Sequence, residues 1–62
     1  MNKALLEEIL DQHAKLAVLW HRVADERCRE NDTYGIYDAV RRAIAHDKEA
    51  RTLRLRYIDL GV

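Results

Sequence analysis

The chain has 62 residues, 11 of them basic and 11 acidic, with one cysteine and no proline. So short a chain is one domain near the lower size limit for independent folding, and balanced charge removes the basic excess that dedicated nucleic-acid binders show. With 48% hydrophobic and 35% charged residues, disorder is disfavoured, and no apolar run approaches the ~20 residues of a membrane span.

The first element is predicted as a helix over residues 3–30. Asn2 is a suitable N-cap, because its side chain can accept from the first free backbone N–H groups. Glu7 and Glu8 follow early, where negative charge suits the helix dipole. They also separate this start from a signal peptide, which needs an unbroken apolar run. A heptad starting at Leu6 places Leu6, Ile9, His13, Leu16, Trp20 and Val23 on one stripe. Leu5 and Leu19 lie on its flank and widen it beyond what one neighbouring helix covers.

Residues 31–33 are predicted as a turn. Asn31 tolerates positive φ and suits the left-handed residue that ends a helix. Asp32 or Thr33 can cap the next helix, predicted over residues 34–59, with Gly35 in its first turn. The apolar stripe of this helix reads Tyr37, Val40, Ile44, Asp47, Arg51, Leu55 and Ile58. A neighbouring stripe adds Ala43, Ala50 and Tyr57. Residues 52–60 alternate Leu53, Leu55 and Tyr57 with Arg54 and Arg56, as a strand would. Helical spacing fits them too and is preferred, because a lone strand has no sheet to join.

The fold class expected is therefore all-α, an antiparallel two-helix hairpin. In that arrangement Glu7, Glu8 and Asp11 face the neighbourhood of Arg54 and Arg56. Asp11–Lys15, Asp25–Arg29, Asp38–Arg42 and Asp47–Arg51 are acid-before-base pairs at i, i+4, each worth a few tenths of a kcal/mol. Two helices cannot cover the wide stripe, and such apolar patches usually mark an interaction surface. A homodimer forming a four-helix bundle is expected. Its interface would comprise Leu5, Leu6, Ile9, His13, Leu16, Leu19, Trp20, Leu53, Leu55 and Ile58. In length and layout, a dimer of this kind resembles the Rop-type plasmid copy-number regulators, dimers of helical hairpins that bind paired RNA loops.

Candidate chemistry is sparse. His21, Asp25 and Cys28 share one helix face at i, i+4, i+7, and His46 could approach from the second helix. They are weak metal candidates, and the reading is that no metal or cofactor is held. Structural zinc sites want four ligands in paired short spacings. A cysteine nucleophile needs a base within reach and oxyanion donors, for which no loop is available. The chain is therefore expected not to be an enzyme. His13, the polar residue on the apolar stripe, suits a core-edge histidine bonded to the facing helix. It also suits a residue that fixes register and weakens the assembly when protonated. Arg41, Arg42, Arg51, Arg54 and Arg56 with Tyr34 and Tyr37 form the candidate partner-binding set, since tyrosine and arginine favour interface centres. The partner expected is a protein. The alternative is RNA or DNA held by the arginines, although Asp38, Asp47, Glu49 and Asp59 interrupt that track. A lone thiol fits a reducing compartment, by default the cytoplasm.

Overall fold

The computed structural model describes residues 2–59, in which two helices, the segment between them and a closing turn follow Asn2. Helix α1 spans Lys3–Arg29 and helix α2 spans Thr33–Arg54. One π-helical turn, Leu55–Asp59, extends α2. The two helices pack side by side as an antiparallel hairpin measuring 45 × 16 × 11 Å. No strand occurs among the described residues. Leu53, Leu55 and Tyr57 are helical, and Leu60 lies outside the described residues. No helix among them is long and apolar enough to cross a membrane.

Both helix starts and the reversal follow from short polar side chains. Asn2 Oδ1 accepts from the backbone N–H groups of Ala4 at 2.7 Å and Leu5 at 3.4 Å. Helix α1 ends with Asn31 at φ 57°, the left-handed conformation that asparagine tolerates. The Asn31 N–H donates to the Cys28 carbonyl, and the Asp32 N–H donates to the Arg27 carbonyl. These two bonds make a Schellman ending. Asp32 at once becomes the N-cap of α2, its Oδ1 accepting from the Gly35 N–H at 2.9 Å. One aspartate thus closes one helix and opens the next, which is why three residues suffice for the reversal.

The seam is not the greasiest face of either helix. Leu6, Leu10, Ala17 and Ala24 are the buried residues of α1. His13, Trp20 and Arg27 are half-buried between them. From α2 the buried residues are Gly35, Ala39 and Ala43, followed by half-buried His46, Ala50, Leu53 and Tyr57. Two expectations are therefore corrected. On α1 the predicted stripe is rotated: Leu10, Ala17 and Ala24 are buried, Ile9 and Val23 are only half-buried, and Leu16 is exposed. On α2, Tyr37, Ile44, Leu55 and Ile58 face solvent, and the secondary stripe of Ala43, Ala50 and Tyr57 faces α1. The physical reason is size. Alanine against alanine lets two backbones approach closely, and a two-helix unit has only one line of contact to optimise.

Charge across the hairpin is also arranged differently from expectation. Asp11 pairs with Lys15 at 2.9 Å, along its own helix, and this holds the Lys15 ammonium above its ordinary pKa. Glu7, Glu8, Arg54 and Arg56 form no ion pair among the described residues. The ion pair between helices lies at the turn end instead, Arg27 to Asp38 at 3.7 Å.

Candidate functional site

Two polar clusters sit along the seam, and two apolar faces lie outside it. The first cluster braces the turn. Arg27 Nη1 donates to the Gly35 carbonyl at 3.0 Å and approaches Asp38, which also accepts from Arg42 Nε at 3.1 Å. The Arg42 guanidinium lies over the Trp20 ring, 4.9 Å from its centroid. Arg42, one of the expected partner-binding residues, is thus held by an acid and an aromatic ring of its own chain. Trp20 gains a cation on its face, an arrangement worth about 0.5–1 kcal/mol at exposed sites.

Gly35 is buried within this cluster. A Cβ built there would meet the Asp32 carboxylate and come within 2.7 Å of Arg27 Cδ. Gly35→Ala is therefore expected to displace both the cap and the arginine. A loss of about 1–2 kcal/mol follows from the cap and the charge-assisted bond, reduced by alanine's better helix propensity. Urea denaturation of the variant measures it; an unchanged midpoint would refute the account of the turn.

The second cluster is a histidine pair midway along the seam. His13 Nδ1 and His46 Nδ1 are 3.0 Å apart, with ring centroids 5.2 Å apart and planes tilted by 44°. The centroids stand almost as far apart as that nitrogen contact allows, so the rings point at each other head-on. This is the geometry of one N–H donating to one lone pair. A metal ion would need both lone pairs aimed at a common point about 2.0–2.1 Å from each nitrogen and off the line joining them. The pair therefore shares a proton and is not arranged as a chelate. His46 does not approach the His21, Asp25 and Cys28 face. Those three are exposed, and no three potential metal ligands gather among the described residues.

The outer faces carry the remaining candidates. Tyr34 and Tyr37 are exposed, at 84% and 66%, and Arg41 lies 5.9 Å from the Tyr37 ring centroid. Neither tyrosine packs against Trp20, whose face is taken by Arg42. Arg41, Arg42, Arg51, Arg54 and Arg56 are all exposed. At 100° per residue they are distributed around α2 and do not form one line. The apolar residues are better ordered. On α2, Tyr37, Val40 and Ile44 run along one edge. On α1, Leu5, Ile9, Leu16, Leu19 and Val23 run along another.

The handedness of the helices decides how these edges relate. Both are right-handed and run antiparallel, so the α1 edge bearing Leu16 and Val23 lies beside the α2 edge bearing Arg42. The Arg42–Trp20 contact is where those two edges meet. Tyr37, Val40 and Ile44 lie on the opposite side of the hairpin. This separation could not be read from the sequence, because it depends on which residues enter the seam. Comparison with known proteins adds no relative: no family model, curated protein or solved structure matches the chain.

Proposed function

We propose that the chain is a small non-enzymatic helical protein that binds another protein through an exposed helix face and regulates it, as inhibitor or adaptor. In this reading it works in the cytoplasm as a homodimer, two hairpins forming a four-helix bundle. The observation that carries the proposal is an imbalance of apolar surface. Among the described residues no large side chain is fully buried, whereas Leu5, Val18, Leu19, Tyr34, Tyr37 and Ile44 are all at least half exposed. Faces of this kind on small proteins usually mark interaction sites.

The placement of the two edges supports a division of labour. One face can pair with a second copy while Tyr34, Tyr37, Arg41 and Ile44 stay available to a different protein. Tyrosine and arginine beside an aliphatic residue are the types that dominate interface energetics. The nucleic-acid alternative gains less, because the arginines are dispersed around α2 and Arg42 is engaged internally.

The test compares the wild type with Tyr37→Ser/Ile44→Ser in capture from a host lysate, with and without nuclease. Both changes are on solvent-facing positions, so circular dichroism should remain helical. A protein retained by the wild type after nuclease treatment, and lost by the variant, is the expected result. Capture that disappears with nuclease alone would overturn the protein-binding reading in favour of nucleic acid.

A further inference from the structure

We propose that the exposed edge of α1 is a self-complementary seam that pairs antiparallel with α1 of a second copy, across a two-fold axis that crosses the stripe between Gln12 and Leu16. The inference rests on the dimeric reading above and specifies its face, orientation and register. Three observations carry it.

The first is area. The chain exposes 5026 Å², against about 4,200 Å² for a compact protein of its mass. Its radius of gyration is 14.2 Å, against about 10.6 Å for a compact chain of this length. The excess, roughly 800 Å², matches what one partner buries in an interface of standard size.

The second is spacing. Leu5, Ile9, Gln12, Leu16, Leu19 and Val23 recur at intervals of 4, 3, 4, 3 and 4 residues, the a/d rhythm of a coiled coil. That rhythm reads the same in both directions. Set against its own reverse, it brings Leu5 to the partner's Val23, Ile9 to the partner's Leu19, and Gln12 to the partner's Leu16. The polar residue then falls beside the axis, where one glutamine from each chain is met. A two-fold interface requires this kind of self-complementarity, which a surface built for a different protein has no reason to show.

The third is charge. Glu8, Lys15 and Arg22 follow the outer border of the stripe one heptad apart. Antiparallel pairing sets Glu8 opposite the partner's Arg22, twice by symmetry. It brings Lys15 to the partner's Lys15, and each lysine is already paired with Asp11 of its own chain at 2.9 Å. A parallel arrangement would turn these residues toward the opposite flank of the partner helix and lose the Glu8–Arg22 pairing. The adjoining edge of α2 carries Arg42, Glu49 and Arg56, so α1 supplies the apolar contact.

The test uses the full chain with Cys28→Ser as background, since Cys28 is an exposed free thiol. Lys15→Cys places a thiol at the axis, and Arg22→Cys places one a heptad away from it. The expected result is a covalent dimer from Lys15→Cys under mild oxidation, formed at least about tenfold faster than from Arg22→Cys, because only the former meets itself at high effective concentration. Mixing Glu8→Cys with Arg22→Cys should yield the crosslinked heterodimer. Crosslinking at 22 as fast as at 15 would overturn the register. A dimeric mass by light scattering with no crosslink at either position would overturn the face while leaving the dimer standing. A monomeric mass for the Cys28→Ser background at millimolar concentration would overturn self-association altogether. None of these outcomes touches docking of the Tyr37–Ile44 edge, which the capture experiment tests alone.

Discussion

Ala43→Leu is expected to destabilise the protein by about 2–3 kcal/mol, while Ile44→Ala, one residue away, changes stability by no more than about 0.5 kcal/mol. Ala43 is 0% exposed and Ile44 is 57% exposed, so the larger residue is the dispensable one. Three extra carbons at position 43 have no cavity to enter, because Ala17, Ala24 and Ala39 hold the backbones close on either side. The helices must separate or the leucine must leave its preferred rotamer, and overpacking of this kind costs about 1–3 kcal/mol. The upper part of that range applies here because separation affects the whole contact line. A domain of this size has only about 3–9 kcal/mol to lose. If the apolar stripe of α2 pointed inward, the order would be reversed: Ile44→Ala would cost about 2–5 kcal/mol and Ala43→Leu would be nearly neutral. Denaturant midpoints of the two variants, at one protein concentration, decide between these arrangements. Holding concentration fixed matters, because any self-association adds to apparent stability by mass action.

That contrast also shows where the sequence was legible. The helix termini were, because Asn2, Asn31 and Asp32 act through local hydrogen bonds that depend on a few neighbouring residues. The hairpin itself followed from their position midway between two helix-forming runs. Rotation of each helix about its axis was not legible. Periodicity marks the stripe with most apolar surface, and in a hairpin that surface is divided between an inner line and an outer face. Small residues won the inner line, where Gly35, Ala39 and Ala43 allow the closest approach. The α1 stripe fared better than that of α2, since Leu6, His13 and Trp20 border both the seam and the outer edge. The polar seam position His13 could be identified, but not its partner. His46 stands in a run of alanines and charges whose apolar face is too weak to orient, and only the register of the hairpin brings it opposite His13. The candidate interface residues were legible as types. Their division into separate faces needed the fold.

Removing one histidine of the seam pair is expected to cost more than removing both. His13 Nδ1 and His46 Nδ1 stand 3.0 Å apart, part-buried between the helices, so one ring donates and the other accepts. His13→Leu takes away one partner and strands the His46 Nδ1, and a polar nitrogen left without its bond costs about 1–3 kcal/mol where water cannot replace the partner. His13→Leu with His46→Leu replaces both partners by apolar side chains of similar reach and leaves no orphaned nitrogen, so it should be close to neutral. Urea midpoints of the wild type, the two single variants and the double variant, measured at neutral pH, form a double-mutant cycle that isolates the coupling between the rings. Single variants no less stable than the double would show that neither ring depends on the other.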